Sequence, residues 1–319
     1  MELLDLPGLL MDSIRFILDG AVIEVDEVEP TRTVLQYLRE DLRRVGSKEG
    51  CAEGDCGACT VVVAELDGEG LRYRAVNACI QFLPTLDGKA LFTVESLKAV
   101  DGTLHPVQQS LVDYHGSQCG FCTPGFVMSM FALYVENRSP GRAEIDDALS
   151  GNLCRCTGYR PIVDACLHMR EYPAPDDNEK RLIAQLRGLD RKQGLSLVHG
   201  LSNYHAPLTL DEMADLYQQH PDARILAGGT DVGLWVTKQL RELPTIIYLG
   251  NVVELRQVKT ATDTIEIGAA VTLTDAFAVL QPHYPEFHEM FRRFASVPVR
   301  NAGTLVGNIA NGSPIGDSM

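Results

Sequence analysis

The apolar positions of this chain change period three times. Up to about residue 95 they alternate as in strands. Ile14-Arg-Phe-Ile-Leu18 and Ala21-Val-Ile-Glu-Val25 flank Asp19-Gly20, a pairing that predicts a hairpin closed by a type I′ turn. Pro30-Thr31 opens a predicted helix with Val34, Leu35, Leu38 and Leu42 on one face. Thr60-Val-Val-Val-Ala64 reads as a buried strand, a second short strand precedes Cys79, and Leu91–Glu95 closes the set. These elements predict a small mixed sheet gripping one helix, the β-grasp plan, over 11–95, with Met11 as a natural start. From Thr103 the period becomes helical: His105–His115, Gly125–Asn137, Ile145–Leu149 and Pro161–Arg170 predict an all-α bundle over 96–170. Residues 171–205 are polar, carry mixed charge and two early prolines, and read as a linker with one short helix near 180–187. From 206 to 319 strands and helices alternate, which predicts an α/β domain. The expected fold class is thus multidomain α+β.

The cysteines add chemistry to this outline. Cys51-Ala-Glu-Gly-Asp-Cys56-Gly-Ala-Cys59 followed by Cys79 has the plant-type [2Fe–2S] spacing, and makes the first domain ferredoxin-like. Four thiolates must converge on two irons, and Gly54 and Gly57 let the backbone curl so that amides face the sulfurs. Zinc is the competing occupant, although zinc knuckles bring two short Cys pairs rather than a staggered triplet. Cys119-Gly-Phe-Cys122 and Cys154-Arg-Cys156 sit at predicted helix ends, where backbone N–H groups favour thiolates. Brought together across the bundle they form a second four-thiolate site, again with structural zinc as the alternative. Cys166 reads as a small core side chain, and His105, His115 and His168 as structural residues.

Charge narrows the class of partner. The 319 residues hold 28 Lys+Arg against 43 Asp+Glu, a net of −15, which disfavours nucleic acid and anionic membrane and suits docking to a basic face. Nine cysteines, an odd number, argue against a disulfide framework. No signal-like leader and no apolar run of about 20 residues is present, so the sequence reads as soluble and cytoplasmic.

Two loops of the third region suggest phosphate binding. Ala227-Gly228-Gly229-Thr230-Asp231 lies between a predicted strand at 223–227 and a helix, a geometry that presents backbone amides to a phosphate but is also common in plain turns. Thr272 with Asp275 predicts a capped helix to Leu280. The stretch from Phe294 to Asp317, dense in Gly, Asn, Ser and Thr, reads as a second backbone cradle rather than a core element.

In order, these motifs resemble the small iron–sulfur/FAD subunit of bacterial xanthine dehydrogenases, in the molybdenum hydroxylase family. The likeness is carried by the two cysteine sets, Gly228-Gly-Thr-Asp231 and Gly303-Thr-x-x-Gly-Asn308, and runs from about residue 12 to the end. It implies that the Cys51/56/59/79 cluster lies toward a flavin, and that the Cys119/122/154/156 cluster lies toward a molybdopterin held by a separate large subunit. Gln118 matches the glutamine that bonds the pterin. The third region would be a PCMH-type FAD domain, with its pyrophosphate loop at Ala227–Asp231 and flavin contacts from Phe294, Thr304, Asn308 and Asp317. The implied activity is electron transfer during purine hydroxylation, with NAD+ as acceptor, in a hetero-oligomer. Aldehyde or N-heterocycle hydroxylases, or a non-catalytic iron–sulfur carrier, are the alternatives. Family chains extend beyond the Ser313–Ser318 segment, so the sequence also reads as C-terminally truncated, with an incomplete FAD domain.

Overall fold

The computed structural model describes residues 12–176, 178–312, 315, 316 and 318. β1 (Ile14–Leu18) and β2 (Ala21–Val25) form the expected hairpin, with Asp19 and Gly20 at φ 54° and 73° as a type I′ turn requires. Thr33, rather than Pro30-Thr31, caps α1 (Val34–Gln36), which widens into a π-type turn over Tyr37–Asp41. β3 (Thr60–Asp67), β4 (Gly70–Asn77) and β5 (Ala90–Phe92) complete a five-stranded sheet of order β2-β1-β5-β3-β4, in which only β1 and β5 run parallel. Phe16, Leu35, Leu38 and Phe82 fill the space between helix and sheet, each at most 2% exposed.

Four helices follow: α2 (Pro106–Asp113), α3 (Thr123–Glu136), α4 (Arg142–Leu149) and α5 (Arg160–His168). Their core, which includes Phe126, Met128, Met130, Ile145 and Ile162, is continuous with Val62 and Ala75 of β3 and β4. Cys166 is buried in it.

The stretch 171–205, read as a linker from its polarity, is largely structured. α6 (Glu179–Arg187) seats Leu182, Leu186 and the following Leu189 against Ile17, Ala64 and Ala90 of the first sheet. Arg191 then reaches the buried carboxylate of Asp87, Nε to Oδ2 2.5 Å and Nη2 to Oδ1 2.9 Å. β6 (Leu195–His199) and β7 (Ser202–Ala206) already belong to the next sheet. The leucines recur at helical spacing within a charged stretch, so overall polarity hides an apolar stripe.

That sheet has the order β6-β7-β9-β8, with β8 (Arg224–Leu226) and β9 (Thr245–Tyr248) parallel to each other and β7 parallel to β9. α7 (Leu210–Gln219) precedes β8, and α8 (Val232–Thr237) follows it after the Gly228–Asp231 loop. β10 (Val258–Thr260) and β11 (Ile265–Ile267) make a separate ribbon. α9 (Leu273–Leu280) has the expected Thr272 cap, whose Oγ1 accepts from the Asp275 amide at 3.2 Å. The Gly/Asn-rich stretch read as a backbone cradle rather than a core element contains two short helices after α10 (His288–Arg293): α11 (Val297–Ala302) and α12 (Leu305–Asn311). Pro298 and Arg300 of α11 are buried, and the Arg300 guanidinium donates to the carbonyls of Arg292, Phe294 and Ala295. Asn301 donates to the Ala75 carbonyl of β4, at 3.0 Å.

Tyr204, Leu226, Leu243 and Ile246 of the third region share one core with Phe16, Leu35 and Phe82. The first and third regions are therefore packed on each other, which positions the loops described next.

Candidate redox centre

The 51–59 loop turns back on itself through three left-handed residues, Ala52, Gly54 and Gly57 (φ 54°, 81° and 70°). This brings Cys51, Cys56, Cys59 and Cys79 together. The Cys79 thiol hydrogen-bonds those of Cys51 and Cys59, and Cys51 also bonds Cys56. Each sulfur receives a backbone amide. Asp55 and Cys56 donate to Cys51 Sγ, each at 3.4 Å; the Glu53 amide also faces Cys51, Gly54 donates to Cys79, Ala58 to Cys56 and Cys79 to Cys59. The Cys79 hydrogen bond, then the amides, hold the Cys51 thiol down at about 3 despite burial. The proton of the pair stays on Cys79, whose pKa those same hydrogen bonds push up. Thiolate character and amides aimed at sulfur are what an iron–sulfur cluster needs, so these residues fit that group.

The second set forms two thiol pairs, Cys119 with Cys156 and Cys122 with Cys154. Burial raises Cys122 to about 12. Burial also opposes ionisation of Cys154, but the Thr157 hydroxyl at 3.2 Å and the Thr157 amide at 3.4 Å outweigh it, and its pKa is lowered. The Cys154 amide donates to Tyr159 Oη at 3.1 Å. Cys119 and Cys156 are exposed, as is the neighbouring Gln118. Among the described residues no group of three His, Cys, Asp or Glu side chains is arranged to hold a single ion. The pair-of-pairs layout is the one that two bridged irons take.

The two loops are in backbone contact. Leu153 donates its amide to the Cys56 carbonyl at 3.0 Å, one residue before Cys154. Asn152, buried, donates to the Gly57 carbonyl at 3.1 Å and to Thr60 Oγ1 at 3.2 Å, and accepts from Ser129. A side chain on Gly57 would strike Gly151 and Asn152, and one on Gly125 would strike Gly57. Asn152 had no assigned role in the sequence; its place two residues before Cys154, between two glycine-bearing loops, is the signal that marks it.

On its other side the first loop meets the third region. Thr237 of α8 donates to the Ala52 carbonyl at 2.8 Å, and Lys238 lies 3.6 Å from Glu53. Gly233 packs against Ile80, the residue after Cys79: a Cβ there would lie 2.6 Å from the Ile80 carbonyl oxygen.

The two loops read from sequence as phosphate cradles converge. Gly228 lies against the Ala302 carbonyl and Gly303, so closely that no side chain fits between. Ala227–Asp231, Thr304 and Asn308 line one cavity of about 340 Å³, together with Tyr217, Arg224 and Trp235. The last three were not singled out in the sequence. A second cavity of about 490 Å³, bounded by Lys89, Tyr248 and Thr272, shares Ala227, Gly228 and Thr304 with the first. These spaces are of ligand-pocket size, and the glycine loops at their junction fit a polyphosphate-bearing cofactor. Phe294 lines neither cavity; its ring packs edge-on to Phe277 at 5.5 Å. Asp317 lies outside the described residues.

Three family profiles match the chain in this order. They are a 2Fe-2S iron-sulfur cluster binding domain over 16–83, a [2Fe-2S] binding domain over 93–167 and an FAD binding domain in molybdopterin dehydrogenase over 199–319. The xanthine dehydrogenase of Drosophila pseudoobscura pseudoobscura is 35% identical over 355 positions, covering 95% of this chain and 26% of that protein. Aldehyde oxidase 2 of Rattus norvegicus is 31% identical over 358 positions, covering 95% and 27%. The structure of quinoline 2-oxidoreductase from Pseudomonas putida 86 aligns with a TM-score of 0.42 and 31% identity, over 55% of this chain and 96% of that one. The chain spans about a quarter of the length of the curated relatives it matches. No helix among the described residues is long and apolar enough to cross a membrane. With two [2Fe–2S]-binding domains followed by the FAD domain, the chain belongs to the molybdenum hydroxylase family, in its iron–sulfur and flavin portion.

Proposed function

We propose that the chain is the electron-transfer part of a molybdenum-dependent oxidoreductase, carrying electrons from a molybdopterin centre on a partner chain to FAD and on to NAD+. One observation carries this reading: the first cysteine loop is held between the other two sites. Its Cys56 carbonyl accepts from Leu153 beside the second cysteine set, and its Ala52 carbonyl accepts from Thr237 behind the flavin-domain loop. Electron carriers must be strung in order along such contacts, and the protein supplies positioning and tuning while the cofactors supply the redox chemistry.

In this reading Cys51, Cys56, Cys59 and Cys79 hold the cluster nearer the flavin. Cys119, Cys122, Cys154 and Cys156 hold the one facing the partner, with Gln118 beside it toward the pterin. Ala227–Asp231, Thr304 and Asn308 hold the FAD. The exposure of Cys119, Cys156 and Gln118 leaves that end open to a partner chain. Because one chain joins both cluster domains to an FAD domain, and relatives at 35% identity are xanthine dehydrogenases, hypoxanthine and xanthine are the proposed substrates of the assembled enzyme. An aldehyde or N-heterocycle hydroxylase is the second reading, favoured by the 31% likeness to aldehyde oxidase 2.

Cys154→Ser tests the order. The variant is expected to lose the iron of one cluster. In the assembled enzyme it should abolish reduction of NAD+ by purine while sparing electron flow from NADH to a flavin-level dye. An equal fall in both activities would contradict the order.

A further inference from the structure

The peptide unit joining Ala52 to Glu53 is bonded at both ends. Its carbonyl accepts from Thr237 Oγ1 at 2.8 Å, and its N–H donates to Cys51 Sγ. The C=O and N–H of a trans peptide point in opposite directions, so fixing one aims the other. The unit needs fixing, because Ala52 sits at φ 54°, a left-handed conformation that alanine adopts at a cost. Thr237 closes α8, the helix that follows the Gly228–Asp231 loop, and Gly233 of the same helix rests on Ile80 beside Cys79. Lys238 lies 3.6 Å from Glu53, again across the same seam.

We infer that Thr237 is a positioning residue for the first cluster: its hydroxyl, anchored on the flavin-domain helix, holds the 52–53 peptide so that the Glu53 amide stays on the Cys51 sulfur. The inference rests on the cysteine set holding a [2Fe–2S] cluster. Amide donors to ligand sulfurs favour the reduced, more negative cluster and raise its potential. A hydroxyl donating to the far end of the same peptide polarises that N–H further. Docking of the flavin domain thereby sets the potential of the cluster next to it, while the second cluster, whose loops Thr237 does not bond, is left alone.

The experiment is a redox titration followed by electron paramagnetic resonance on the anaerobically purified full chain, using dithionite as reductant. Thr237→Val, which removes the hydroxyl at nearly constant volume, is compared with Thr237→Ser, which keeps it. The expected result is a lower midpoint for the first cluster in Thr237→Val only, with the second cluster's midpoint unchanged in both. Loss of first-cluster iron from Thr237→Val, with the second cluster intact and Thr237→Ser fully loaded, would support the same role in a stronger form. A first-cluster midpoint that is the same in the Val and Ser variants at full iron content would overturn the inference, as would equal shifts of both clusters. Absence of any iron–sulfur signal from the unsubstituted protein would instead overturn the cluster reading on which it rests.

Discussion

At the scale of single residues, burial and hydrogen bonding decide which ionisable groups stay neutral. His105 is 7% exposed, caps α2 by accepting the Val107 amide on Nδ1 at 3.3 Å, and meets the rings of Phe131 and Tyr134 edge-on. Burial, then the nearby Arg170, lower its pKa to about 4 from an ordinary value of 6.5. The folded-state pKa is the lower one, so the folded chain resists a proton that the unfolded chain accepts. Stability from this site is complete above pH 6.5 and is lost as pH falls toward 4, by up to about 3 kcal/mol. His105→Asn keeps a capping acceptor and removes the titration. Urea unfolding at pH 7.5 and pH 5 should therefore show a smaller loss for the variant than for the unsubstituted protein; identical losses would count against this role. Cys166, also buried and pushed up to about 12, has no thiol partner and behaves as a core side chain.

At the scale of elements, some parts were legible in the sequence because a local rule determines them. Asp19-Gly20 set the hairpin turn, Thr272 the start of α9, and Gly54 and Gly57 the curl of the first cysteine loop. Ala52 was not legible, since nothing about alanine announces a left-handed residue. Its conformation belongs to the loop as a whole and to the Thr237 contact, 185 residues away in sequence. The cysteine spacings revealed which thiols belong together, but not that the two loops touch through Asn152 and Leu153. In the 171–205 stretch the short helix expected near 180–187 is present as α6, but the charged composition hid how it packs, which Leu182, Leu186 and Leu189 decide. Leu186 is 1% exposed. Leu186→Ala is expected to cost about 2–5 kcal/mol, measured as a shift of the denaturant midpoint with unchanged slope. A change below about 0.5 kcal/mol would return the stretch to linker status. The Phe294–Asp317 stretch misled differently. Its small polar residues build short helices whose backbones approach Gly228 closely, so the cradle is made of helix ends and turns rather than one open loop.

At the scale of the molecule, ion pairs and hydrogen bonds cross the seams between regions. Arg74 of β4 bonds Asp275 of α9 at 2.6 Å, and Arg72 bonds the same carboxylate at 2.9 Å. Arg292 bonds Asp147 of α4 at 2.8 Å. Glu65 is half-buried, which works against its charge, yet Lys89, Arg256 and Arg74 around it hold its pKa below the ordinary value. Partly exposed pairs of this kind add little stability each. The result is a chain of contacts from the exposed Cys119/Cys156 pair, through the 51–59 loop, to the Gly228–Thr304 cavities. The measurement that tests this account most directly is the iron, acid-labile sulfide, zinc and flavin content of anaerobically purified protein, with electron paramagnetic resonance after reduction. The account predicts about four irons and four sulfides per chain and two distinct [2Fe–2S] signals. Zinc in place of iron, or a single signal with about two irons, would contradict it.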